Sequence, residues 1–99
     1  MDYDNIDMFD YRRGDVTIRL MSDGFKVILP DCSVKEAVKL KVLHNEVRDR
    51  FGDLVETSFE PEEISNRTDM AVLSVKGDNL DVLLEVLEYV SRSVVELFF

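Results

Sequence analysis

From Val16 onward, apolar and polar side chains alternate. Val16, Ile18 and Leu20 face one way, and Thr17, Arg19 and Met21 face the other. A period of two is the mark of a strand with one buried face. Ser22-Asp23-Gly24 follows, and then Phe25, Val27 and Leu29 alternate with Lys26 and Ile28. An Asp-Gly pair favours a tight hairpin turn, because both residues tolerate positive φ. A two-residue turn at Asp23-Gly24 sets Leu20 opposite Val27 and Ile18 opposite Leu29, all on one apolar face. Pro30 ends the second strand.

The period then changes. Ser33 with Glu36 three residues later forms a capping box that opens a helix running to about Phe51, with Gly52 as its stop. Ala37, Leu40, Leu43, Val47 and Phe51 make one apolar stripe on it. Val34, Val38 and Val42 make a second, and Lys35, Lys39, Glu46 and Arg50 share a charged face. A helix on the surface of a monomer needs one stripe, so the second implies a further covering surface. Residues 54–59 read as a third strand with Val55, Thr57 and Phe59 on one face. Residues 60–69, with Pro61, read as a loop, and residues 70–75 as a fourth strand ended by Gly77.

Asp78 or Asn79 caps a last helix that continues to Phe99. Asp81, Glu85, Glu88, Arg92 and Glu96 share one narrow stripe. At ~100° per residue the apolar sector covers roughly two-thirds of the circumference. A four-stranded sheet covers one side of such a helix, and the exposed remainder exceeds what monomers usually carry. This helix therefore predicts a protein partner, with Leu83, Leu87, Val90, Val94 and Phe98 at the interface beside Val34, Val38 and Val42.

The expected architecture is α+β: a two-layer sandwich in β-β-α-β-β-α order, with an antiparallel-rich four-stranded sheet, two helices and the C-terminal helix at a dimer interface. Residues 1–14 are expected to form an acidic flexible tail. Asp2, Asp4, Asp7 and Asp10 alternate there with apolar side chains. Residues 15–99 make a single α+β dimerisation domain, a normal size for one core.

Charge narrows the function. Twenty-one acidic against 12 basic residues give a net charge of −9. A general nucleic-acid binder needs surplus Lys and Arg to displace counterions. No stretch approaches the ~20 apolar residues of a membrane helix, and no leader pattern opens the chain. Both observations point to a cytoplasmic protein. One cysteine excludes an internal disulfide framework, and with one histidine it cannot close a zinc site. Cys32 stands at a helix N-terminus, where a thiol is activated, but His44 lies too far along the same helix to serve as its base. His44 falls in the main apolar stripe, the setting of a packed histidine satisfied by one hydrogen bond. Glu60, Glu62, Glu63 and Asp69 lack the spacing of a calcium loop. No phosphate loop, metalloprotease or nucleophile-elbow motif occurs. The chain reads as non-catalytic, without metal or cofactor.

Element order, length and local segments resemble subunit L of archaeal RNA polymerase and its eukaryotic small α-like counterparts, over residues 15–99. That family opens its first helix with Asp-His-Thr-Leu-x-Asn. Here the stretch is Asp31-Cys32-Ser33-Val34-Lys35-Glu36: Asp31 matches, Ser33 and Val34 are conservative, and Cys32 and Glu36 depart. Asp78-Asn79-Leu80 stands where the family starts its last helix with Asp-Pro. The resemblance implies a non-catalytic assembly subunit of a DNA-directed RNA polymerase, paired with a larger α-like subunit through the helices of both. The alternative is a homodimeric binding module, such as the small dimerisation subunit of the KEOPS tRNA-modification complex, or a small acidic regulator of viral type. The KEOPS family lacks the leading hairpin.

Overall fold

The structure, a computed structural model, describes residues 9–13 and 16–99, with side chains from Val16 onward. Its elements are β1 (Phe9–Arg13), β2 (Val16–Met21), β3 (Gly24–Leu29), α1 (Val34–Phe51), β4 (Glu56–Glu60), β5 (Ala71–Lys76) and α2 (Leu80–Phe98). The strands form one sheet in the order β1-β2-β3-β5-β4, and every neighbouring pair is antiparallel. From Val16 onward the order is the expected β-β-α-β-β-α. The fold is α+β, with both helices on one face of the sheet.

Alternation along the strands shows which face is covered. Ala71, Leu73 and Val75 of β5 are buried, while Val72 and Ser74 are half-buried and Lys76 is exposed. Phe25, Val27 and Leu29 of β3 face the same core, where they meet Leu40, Leu43 and Val47 of α1 and Val86 and Val90 of α2. Each fully buried aliphatic or aromatic side chain contributes about 1.5–3 kcal/mol of transfer free energy.

Two expectations need correction. The first fourteen residues are not wholly a tail, because Phe9–Arg13 forms β1 and pairs along β2, Phe9 opposite Leu20 and Arg13 opposite Val16. The sheet thus has five strands rather than four. Five residues holding charges do not make a strand alone; the open edge of β2 supplies the hydrogen-bond partners, and that edge exists only in the folded sheet. Residues 1–8 and 14–15 lie outside the described residues.

The hairpin register also differs. Met21 pairs with Gly24, Leu20 with Phe25 and Ile18 with Val27, so the turn is Ser22-Asp23. The slip is two residues, and a slip of two leaves every side chain on its expected face. Gly24 is needed for a different reason. It sits in β3 against β5, where an added Cβ would lie 1.9 Å from the Val75 carbonyl oxygen. Among the described residues other than glycine, none has positive φ. The turn is fixed from outside, by the Gly77 N–H donating to the Asp23 carbonyl at 3.0 Å.

The helix starts follow the capping chemistry. The Glu36 N–H donates to Ser33 Oγ at 3.2 Å, and the Ser33 N–H donates to Glu36 Oε1 at 2.9 Å. Asn79 caps α2 by accepting from the Val82 N–H at 3.2 Å. Gly52 does end α1, but in right-handed geometry, with φ −62° and its N–H donated to the Arg48 carbonyl.

Candidate functional site

Helix α2 presents four sides. Leu83, Val86, Val90 and Val94, at three- and four-residue spacing, point into the core. A second side faces α1. There the Tyr89 hydroxyl donates to Glu46 Oε2 at 2.9 Å, and Lys39 Nζ donates to the Leu97 carbonyl at 3.3 Å. The Tyr89 ring meets Phe51 edge-on at 5.8 Å. The flank turned away from α1 is apolar and open. Leu80 is 67% exposed, Leu84 52% and Val95 45%, with half-buried Leu87 and Phe98 on the same edge. Positions 80, 84, 87, 95 and 98 follow the helical repeat, so they lie along one flank, with Ser91 between Leu87 and Val95. Beside it runs the solvent face with Asp81, Glu85, Glu88, Arg92 and Glu96. Arg92 pairs there with Glu88 at 2.6 Å.

Helix α1 buries Ala37, Leu40, Leu43, His44 and Val47. Val34, Val38 and Val42, the second stripe, remain exposed on its solvent side. The apolar strips of α1 and α2 are therefore separate.

The eight expected interface residues consequently divide. Val34, Val38 and Val42 are exposed on α1. Leu87 and Phe98 lie half-buried on the open edge of α2. Leu83, Val90 and Val94 are buried by the chain itself and belong to its own core. The residues that take their place at the surface are Leu80, Leu84 and Val95. The helical wheel marks all of them as apolar; which third of the wheel meets the sheet is set by the position of α1.

Of the segment that carries the family resemblance, Asp31, Ser33 and Val34 are exposed at the start of α1, and Cys32 is buried. The Cys32 N–H donates to the Asp69 carbonyl at 2.9 Å. Burial pushes its thiol up from the ordinary value, and the carboxylates of Glu36, Asp69 and Asp31 push the same way. That is the opposite of an activated nucleophile.

His44 is 8% exposed. Among the described residues, neither ring nitrogen meets a partner in good hydrogen-bonding geometry, where the sequence pattern predicts one satisfied bond. Burial lowers its pKa, and Arg48 and Lys41 lower it further, while the Asn45 side chain and the Thr57 backbone oppose them. A depression of about 390 Å³ at one end of the sheet is lined by Asp23, Asp53, Glu56, Lys76 and Asp78 among others. Among the described residues, no three metal-ligating side chains converge. No described helix is long and apolar enough to cross a membrane.

Set against known protein families, curated proteins and solved structures, the chain matches none.

Proposed function

We propose that the chain is a non-catalytic assembly subunit that docks another protein along the open apolar edge of α2. The observation that carries this reading is the strip of Leu80, Leu84 and Val95, exposed on one flank of a helix whose other apolar sides face the core and α1. Isolated surface leucines are ordinary; an aligned strip with half-buried Leu87 and Phe98 is the profile of a protein-binding patch. The resemblance to small α-like polymerase subunits supplies the partner: a larger α-like subunit of a DNA-directed RNA polymerase, met helix to helix in the cytoplasm. The buried, unactivated Cys32 supports a role without chemistry.

The test is affinity capture of the tagged chain from its native extract, beside the Leu84→Asp variant checked for folding by circular dichroism. Stoichiometric recovery of an α-like subunit with the large polymerase subunits is expected, and Leu84→Asp removes them, because a buried unpaired carboxylate costs several kcal/mol. Recovery of the chain without polymerase subunits overturns the polymerase assignment. If light scattering of the purified chain then shows a dimer that Leu84→Asp dissociates, the edge belongs to a second copy.

A further inference from the structure

We infer that His44 is an acid-sensitive latch holding the edge strand β4 against α1. Among the described residues, strand β4 is the last in the sheet and is hydrogen-bonded on one side only, to β5. Its inward residues Thr57 and Phe59 are half-buried. His44 projects from α1 toward them, its ring centroid 5.9 Å from that of Phe59. The imidazole is closed off from water, and among the described residues neither nitrogen meets a partner in good hydrogen-bonding geometry; the Asn45 side chain and the Thr57 backbone are the polar groups that favour its charged form.

The surroundings favour one protonation state. From α1, Lys41 lies one turn before His44 and Arg48 one turn after, with Asn45 adjacent. From β4 come the Thr57 backbone and the Phe59 ring, and Lys41 Nζ lies 5.9 Å from the centre of that same ring. Among the described residues, the charged groups that act on the imidazole are Lys41 and Arg48, both cations. A neutral imidazole is tolerated there. An imidazolium is a buried charge between two like charges, and it gains water only if one wall of its enclosure moves. The α1 wall cannot move cheaply, because Leu40, Leu43 and Val47 beside it are fully buried. The β4 wall can, because a single ladder holds it.

The sign follows. The closed state holds the neutral form, so its pKa lies below the ordinary ~6.5 of an exposed histidine. Closure is complete above that value and weakens as pH falls. Between the ordinary value and the lowered one, the opening equilibrium rises about tenfold per pH unit, the linkage of one proton. Release of β4 also separates Lys41 from Phe59 and uncovers the edge of β5.

Amide hydrogen exchange of the full chain by NMR, corrected for intrinsic rates, tests this from pH 7.5 to 5. Protection of the β4–β5 ladder is expected to fall as pH drops below ~6.5, by at most about tenfold per unit and levelling off at the lowered pKa, while the β3–β5 ladder holds. In His44→Phe, which keeps a ring without a titrating nitrogen, the pH dependence is expected to vanish. The imidazole resonances of the wild-type chain read the same equilibrium without any substitution and are expected to titrate below the ordinary value. The inference is overturned by unchanged β4 protection across this range. It is equally overturned by an equal pH dependence in His44→Phe, or by ordinary imidazole titration with β4 closed.

Discussion

The hydroxyl of Tyr89 donates to Glu46 Oε2 at 2.9 Å, and through this bond α2 is keyed to α1. The Arg50 guanidinium lies 4.7 Å from the centre of the Tyr89 ring, on the same side of the groove. Together with the Lys39 Nζ bond to the Leu97 carbonyl, these contacts give the pair of helices a fixed orientation. That orientation turns Leu80, Leu84 and Val95 outward.

Replacing Tyr89 by Phe keeps the ring contacts with Phe51 and Arg50 and removes the bond to Glu46. A loss of about 0.5–1 kcal/mol in urea-unfolding free energy is expected. Burial raises the phenol pKa, and the bond to Glu46 and its charge add to it, so the folded state prefers the neutral phenol. Its contribution is fully present below the unfolded value of ~10 and is lost as pH rises through the folded value. Denaturation midpoints measured between pH 9 and pH 11 are expected to fall more steeply in the wild type than in Tyr89→Phe.

Gly24→Ala places a Cβ where the Val75 carbonyl oxygen already stands, at 1.9 Å. Backbone cannot step aside as a flexible side chain does, so β3 and β5 must separate locally. A destabilisation of about 2 kcal/mol or more is expected by urea unfolding. The adjacent exposed turn residue Ser22 is the control: Ser22→Ala is expected to stay within about 0.5 kcal/mol.

Leu43 and Leu84 distinguish folding from docking. Leu43 is fully buried and Leu84 is half exposed. Leu43→Ala is expected to cost about 2–5 kcal/mol of stability. Leu84→Ala is expected to change stability by less than about 1 kcal/mol while weakening partner capture. Equal effects of both substitutions on capture at matched folded fraction would count against the α2 edge as the docking surface.

Cys32 provides a check on the absence of nucleophilic chemistry. Its thiol is buried and its pKa raised by burial and three nearby carboxylates. Reaction with a disulfide reagent at pH 8 is expected to run at least tenfold slower than for a free thiol and to accelerate on unfolding. Rapid labelling of the folded chain would reopen a catalytic reading.

The parts of the fold legible in the chain were those decided by neighbours within one turn or one strand. The capping box of Ser33 and Glu36 is a contact between residues three apart, and it forms where the pattern places it. The alternation of Ala71, Leu73 and Val75 likewise assigns the buried face of β5 without knowledge of what covers it. The hairpin was legible in its face and not in its register. Face depends on parity alone, whereas the choice of Ser22-Asp23 over Asp23-Gly24 depends on β5 passing close to Gly24. His44 was legible as a packed residue, and its lack of a well-placed partner among the described residues was not, because that depends on where β4 lies.

The candidate docking edge divides in the same way. Sequence alone establishes that α2 has more apolar surface than one sheet face can cover, since the excess is a count of side chains around a helix of known period. Tertiary structure decides which of those side chains remain outside. Leu83, Val90 and Val94 go to the core and Leu80, Leu84 and Val95 to the surface, because the rotation of α2 is set by its packing on the sheet and by the bond from Tyr89 to Glu46 on α1. The strand β1 has the same origin. Phe9 and Tyr11 favour a strand and alternate with Asp10 and Arg12, but five residues do not hold one alone, and the open edge of β2 gives the backbone somewhere to bond.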